Sequence, residues 1–187
     1  MRRGMNSMEM QKNNRILVFK TLQEKGMMTR AELFHSGVMP AVNPGISVSR
    51  VGGNAQIKAM KKIAGPIRTD LAQYRELAAF AQFGSELDDD TKERLDQGER
   101  IREVLKQPQY QPLAVEKQVV IIYAAVKKYL LDLAVDQILD FQKELFDLID
   151  TKYPEIFTSI AETKVMDDAT EEKLIKAINE AKESFRK

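Results

Sequence analysis

Residues 115–126 read VEKQVVIIYAAV, and this stretch decides the fold class of the chain. From Val119 to Val126 every residue is apolar or aromatic, so a helix here is apolar on all its sides. Such a helix is typical of the interior of a helical protein. The run is far shorter than the roughly 20 residues that a membrane-spanning helix needs. The sequence therefore predicts a helix that begins at Val115 and lies at the centre of a bundle.

The segments on both sides of this run also have helical spacing and recognisable helix starts. Pro66 and Pro154 suit a first helical turn, whereas Asp88–Asp90 with Thr91, and Asp167–Asp168, favour helix N-termini by capping and by their charge. The helix after Asp90 is predicted to end at about Gln107. The apolar stripes that mark the predicted helices are Ile57, Met60, Ile63 and Ala64; Ile67, Leu71, Tyr74, Ala78 and Ala81; Ile101, Val104 and Leu105; Val135, Ile138, Leu139, Phe146 and Ile149; and Leu174, Ile178, Ala181 and Phe185. Almost no alternation with period two follows Gly53, so the sequence predicts an all-α bundle over residues 54–187.

Residues 43–62, NPGISVSRVGGNAQIKAMKK, show a change of pattern. Ile46–Ser49 alternates like a short strand, and Arg50 stands just before the Gly52–Gly53 pair. Glycines allow a sharp turn at that point, and Asn54 is a predicted helix cap. A guanidinium fixed beside such a turn suits phosphate, because it can donate two parallel hydrogen bonds.

Three stretches carry a family resemblance: GVMPAVNPGISVSRVGGNAQIKAMKK, LAQYRELAAFAQFGSELD and LKQPQYQPL. Together they resemble the alpha subunit of the rotary F-type ATP synthase, and the resemblance runs from near Glu32 to the C-terminus. It implies that residues 32–53 are a remnant of the nucleotide-binding domain and that 54–187 form the C-terminal helical bundle domain. The implied function is a structural and regulatory contribution to proton-driven ATP synthesis or hydrolysis, with no activity in the isolated chain. The implied partners are the beta and gamma subunits, at a cytoplasmic site peripheral to the energy-transducing membrane and without direct membrane insertion.

The same resemblance implies roles for five residues. Arg50 corresponds to an arginine that reaches the catalytic site of a neighbouring beta subunit, and Ser47 belongs to the same motif. Gln107, Gln109 and Pro40 correspond to the adenine pocket of a non-catalytic nucleotide site. The implied cofactors are ATP or ADP with magnesium in the full complex, and none for this chain alone.

The sequence departs from the family pattern at several positions. Met39 replaces an arginine that usually precedes Pro40, and Lys127, Lys128 and Leu131 replace glycine-rich and acidic residues. These departures put nucleotide binding and the geometry of the turn after Val126 in question. The acidic turn Glu86–Asp90 corresponds to a loop that faces the central rotor stalk.

Residues 1–31 form a separate basic head, with seven Lys or Arg against two Asp or Glu in a chain of net charge +1. Residues 12–33 resemble the opening of the winged-helix domain of ROK-type repressors. A reading helix should follow, but Gly37, Pro40 and Pro44 follow instead, and prolines break helices. The alternatives left open are a DNA-binding transcription regulator, and a fused or artificial chimera without activity. Any nucleic-acid binding by the head is expected to be weak and nonspecific.

Composition excludes several other classes of site. The sequence has no cysteine and a single histidine, His35, so disulfides, thiolate chemistry and a histidine-based metal cluster are excluded. No G-x-x-x-x-G-K-[ST] motif occurs, which argues against an autonomous ATPase. We expect no metal site in this protein.

Overall fold

The computed structural model describes residues 50–81, 87–108 and 110–185, which form helices joined by turns. The helices are α1 Arg50–Ala55, α2 Lys58–Ala64, α3 Ile67–Ala81, α4 Asp89–Val104, α5 Val115–Val126, α6 Ile138–Lys152, α7 Glu155–Thr163 and α8 Asp168–Phe185, with a 3-10 turn, Val135–Gln137, before α6. From Arg50 onward these residues belong to one compact unit. They include no β-strand, and the predicted all-α fold is confirmed. The basic head and the predicted strand lie outside the described residues.

The helix α5 lies at the centre of the bundle, as its sequence predicts. It packs against α2, α4 and α7, and every residue from Val119 to Ala125 is buried. The last helix, α8, packs against α6 and α7 and buries Leu174, Ile178 and Ala181. One hydrophobic core therefore includes residues from α2 through to α8.

The helix starts follow the local signals in the sequence. Asp88 Oδ1 accepts a hydrogen bond from the Thr91 backbone N–H at 2.6 Å, and Asp167 Oδ1 accepts one from the Thr170 N–H at 2.8 Å. The Pro66 carbonyl accepts from two backbone N–H groups in the first turn of α3. Each bond satisfies an N–H that has no partner within its own helix.

Four local expectations were wrong. Asn54 lies within α1 instead of capping a helix, and Ile57 is the N-cap of α2. Gly52 and Gly53 lie within the short helix α1 rather than in a turn, because glycine accepts helical as well as left-handed backbone angles. The helix α4 ends at Val104 instead of near Gln107, where the Lys106 N–H bonds to the Glu103 carbonyl three residues back and the i→i−4 pattern stops. Leu139 is 37% exposed, because the buried side of α6 follows Ile138, Phe141, Leu145 and Ile149.

None of the helices in the described ranges has the length and apolar character needed to cross a membrane.

Candidate functional site

The residues singled out from the sequence fall in two described places. Arg50 is the first residue of α1, and only its backbone is described. Gln107 lies in the loop between α4 and α5. Pro40, Ser47 and Gln109 lie outside the described residues, as do Met39 and the head, so their predicted roles stay predictions. Nothing in the described part brings Arg50 and Gln107 together.

Several described residues of the loop between α4 and α5 are exposed. Gln107 is exposed, and Tyr110 is 91% exposed with a positive φ of 63°. The turn is closed by a hydrogen bond from the Gln111 N–H to the Pro108 carbonyl at 3.3 Å. At its far end, the Gln118 side chain donates to the Leu113 carbonyl at 2.7 Å. The side-chain amide of Gln107 is therefore accessible to a partner while the turn after it stays closed.

The fit of this loop to a nucleotide is partial. An exposed glutamine amide can donate to and accept from an adenine edge, and Gln107 is exposed. The phosphates would need groups from outside the described residues. Within the described ranges, no cluster of three or more His, Cys, Asp or Glu side chains could hold a metal ion.

A second candidate site is a cleft of about 490 Å³ where α2, α3, α4, α5 and α8 converge. Its apolar wall includes Ile63, Val126 and Met166, and its rim carries several charged side chains. The volume lies within the range of small-molecule sites. Sequence reasoning missed this cleft, because its lining comes from helices far apart in the sequence.

Tyr123 forms a rigid wall of the cleft. Its hydroxyl donates to Glu171 Oε1 at 2.8 Å, and its ring stacks on Tyr129 with centroids 6.2 Å apart. Burial, together with the hydrogen bond to the Glu171 carboxylate, raises the pKa of Tyr123. Tyr123 is therefore a neutral hydrogen-bond donor at physiological pH, and Glu171 is held beside Lys62 at 3.7 Å.

The cations on the rim differ in their partners. Lys128 forms an ion pair with Glu93. Arg94 donates to the neutral side-chain amide of Gln73 at 3.3 Å, and Lys127 Nζ lies 5.9 Å from the centroid of the Tyr123 ring. Burial raises the pKa of Asp70, an effect that the Lys128 ammonium partly offsets. The rim therefore includes two cations, Arg94 and Lys127, that contact a neutral amide and an aromatic ring respectively.

Side chains of α4 hold the turn after α5 in place. Gln97 Nε2 donates to the Ala125 carbonyl at 2.8 Å. Arg100 donates to the Leu130 carbonyl at 3.0 Å and to the Leu133 carbonyl at 2.8 Å. Lys128 adopts a left-handed φ of 65°. The sequence departures at Lys127, Lys128 and Leu131 put the geometry of this turn in question, and the structure has a turn here.

The family model and two curated relatives that match this protein all come from ATP synthase subunits. Residues 56–181 match the family described as "ATP synthase alpha/beta chain, C terminal domain". The sequence is 58% identical over 155 residues to ATP synthase subunit alpha of Clostridium botulinum (strain Hall), covering 83% of this chain and 31% of that protein. It is 57% identical over 154 residues to ATP synthase subunit alpha of Clostridium kluyveri (strain NBRC 12016), covering 82% of this chain and 31% of that protein. The protein thus spans about a third of the length of the curated relatives it matches.

Proposed function

The protein belongs to the family of C-terminal domains of the ATP synthase alpha and beta subunits, and on that premise we propose that it contributes to proton-driven ATP synthesis or hydrolysis within an ATP synthase complex. It does so as a structural and regulatory part of subunit alpha. The supporting observation is the 58% identity to a subunit alpha over 155 residues. The all-α unit that begins at Arg50 is the part of the molecule that would carry this role.

The proposed partners are the beta and gamma subunits. Arg50 would act in trans, at a catalytic site of the neighbouring beta subunit, with Ser47 supporting the same motif. An arginine in that position stabilises charge on a transferring phosphoryl group but supplies neither nucleophile nor metal. The isolated chain is therefore not an enzyme, and ATP or ADP with magnesium would be bound only in the full complex.

Gln107, with Gln109 and Pro40, is proposed to contact adenine at a non-catalytic nucleotide site. The exposure of Gln107 and the closed turn after it support this role. Assembly would place the protein at the cytoplasmic side of the energy-transducing membrane, peripheral to it. DNA binding by the head stays a prediction.

Domain replacement in a complete subunit tests the proposed role. Residues 50–187 of this protein would replace the matching part of the Clostridium botulinum subunit alpha, and the hybrid would be assembled with beta and gamma. We expect a complex that assembles and hydrolyses ATP. A hybrid that folds but does not assemble would contradict the proposal.

The role of Arg50 is tested in the same hybrid complex. We expect Arg50→Ala to assemble normally but to lose roughly 3–5 kcal/mol of transition-state stabilisation, with a smaller change in nucleotide affinity. Arg50→Lys should recover little, because an ammonium cannot reproduce the two parallel hydrogen bonds of a guanidinium. The 187-residue protein alone should show no ATP hydrolysis above background, with or without magnesium. Near-normal turnover by the Arg50→Ala complex would show that the proposed role of Arg50 is wrong.

A further inference from the structure

We propose that the cleft between α2, α3, α4, α5 and α8 is a binding site for a small amphipathic organic anion, a carboxylate or phosphate attached to an apolar body. The site is independent of the proposed role in ATP synthase. Three properties of the cleft support it: its size, its apolar wall and the two rim cations Arg94 and Lys127.

The apolar wall defines the body of the ligand. Ile63 and Met166 are buried core residues that line the cleft, and the partly buried Val126 lies beside them. Burying apolar surface of a ligand against this wall is favourable at about 25 cal/mol per Å². The wall ring of Tyr123 is fixed by its hydrogen bond to Glu171, so little ordering of the protein opposes binding.

The rim defines the charge of the ligand. Lys128 and Lys62 lie beside carboxylates, Glu93 and Glu171 respectively. By contrast, the hydrogen bond of Arg94 goes to a neutral amide, with the Asp88 carboxylate close enough to interact with Arg94 electrostatically, and Lys127 lies over the face of an aromatic ring. An anionic group would give both cations an ionised acceptor, so that donor and acceptor would both be charged in each hydrogen bond.

The acidic residues at the cleft do not favour a cation instead. Glu93 and Glu171 are already paired with lysines. Asp70, the third carboxyl group at the cleft, interacts electrostatically with the Lys128 ammonium. The positive side chains lie on three separate parts of the fold, α2, α4 and the turn after α5, so a bound anion would also link these elements.

A matched pair of fluorescent probes tests the proposal with the 187-residue protein. The first probe, 8-anilinonaphthalene-1-sulfonate, carries an anionic group on an apolar body, and the second, N-phenyl-1-naphthylamine, is its neutral analogue. We expect the anionic probe to bind at one site and more tightly than the neutral analogue. Octanoate and octyl phosphate serve as competitors that distinguish a carboxylate from a phosphate, and inorganic phosphate at the same concentration should not compete.

Variants and methyl NMR locate the binding. We expect Arg94→Gln and Lys127→Gln each to weaken binding of the anionic probe by about tenfold, the loss for one charged hydrogen bond. Lys143→Gln, on the exposed side of α6, is the matched control and should bind as the unaltered protein does. The methyl resonances of Ile63 and Met166 should shift on binding, and those of Leu148 should not.

The outcomes of these experiments distinguish the site from adventitious binding. Loss of affinity in both cleft variants, with shifts at Ile63 and Met166, supports the site. Equal binding of the two probes, unchanged affinity in both variants, or shifts confined to residues outside the cleft would overturn it. These experiments test the cleft alone. If the proposed binding site is wrong, the proposed role of the protein in ATP synthase is not affected.

Discussion

Gly98 of α4 lies directly against the ring of Tyr74 of α3: a β carbon at Gly98 would be 2.4 Å from Cγ and Cδ2 of Tyr74. Real β carbons do not approach other atoms so closely, so only glycine allows the two helices this separation. Tyr74 is itself buried, and its ring centroid lies 5.7 Å from the guanidinium carbon of Arg102. The ring therefore has little room to move away.

Gly98→Ala is expected to destabilise the unit by about 1–3 kcal/mol. Alanine favours a helix over glycine by about 1 kcal/mol, but the clash with a buried ring outweighs this gain. Urea unfolding followed by circular dichroism measures the change. Gly53→Ala is the matched control, because no atom lies within 4 Å of its added β carbon; it should be neutral or slightly stabilising. A Gly98→Ala variant as stable as the unaltered protein would contradict this packing of α3 against α4.

Lys164→Gly is expected to stabilise the unit by about 1 kcal/mol relative to Lys164→Ala. Lys164 ends α7 with a left-handed φ of 61°, a conformation that is strained for residues with a β carbon and free of strain for glycine. Both variants lose the lysine side chain, so their difference isolates the backbone contribution. Thermal and urea unfolding measure it.

The turn at Lys128 provides a second case of the same effect. Lys128→Gly should also be more stable than Lys128→Ala by about 1 kcal/mol, although both lose the exposed ion pair with Glu93. Such exposed pairs contribute little. If alanine equalled glycine at both positions, the left-handed geometry would not be the native one.

Arg100→Met is expected to destabilise the unit by about 3–6 kcal/mol. The Arg100 side chain is only 11% exposed, and its removal leaves two backbone carbonyls, of Leu130 and Leu133, without their charged donors. Each such bond contributes roughly 1.5–3 kcal/mol. Urea unfolding tests the expectation, with Lys92→Met, which removes an exposed i,i+3 pair with Asp89, as the control.

The lysine variant at the same position refines the test. Arg100→Lys should recover only part of the loss, because one ammonium lacks the planar fork that reaches both carbonyls. Full recovery by lysine would show that charge alone, rather than the paired hydrogen bonds, holds the turn.

Asp167→Asn is expected to make the stability less sensitive to acid. Hydrogen bonds from the side chain and backbone of Thr170 lower the pKa of Asp167 below its ordinary value of 3.8. A carboxylate with a depressed folded-state pKa stabilises above the unfolded value and loses that contribution as pH falls through the folded value. The unaltered protein should therefore lose stability as pH falls below about 3.8, whereas asparagine still caps α8 without titrating.

Urea unfolding of both proteins at about pH 5 and about pH 2.5, on either side of that transition, measures this difference. Asp167→Ala separates the cap from the charge, since it should be less stable than Asp167→Asn at both pH values. An unaltered acid dependence in Asp167→Asn would show that Asp167 contributes nothing to it.

The sequence by itself determined that the helices from α2 onward form and which of them is central, but it did not reveal the short helix α1. The caps at Asp88 and Asp167 each involve a partner three residues further on, so the signal and its effect lie within one turn. The run from Val119 has no polar side, so it could only be buried. The family resemblance likewise depended on contiguous motifs.

Only the tertiary structure decided how these helices meet. The Gly98–Tyr74 contact joins α3 to α4, and Arg100 reaches carbonyls 30 and 33 positions away. The cleft collects Ile63, Arg94, Lys127 and Met166 from segments that share no local pattern. Local sequence fixes backbone hydrogen bonds within a helix, whereas contacts between helices depend on the complementary shape of side chains that are distant in sequence. For that reason most helix positions from α2 onward followed from the sequence, whereas the cleft did not.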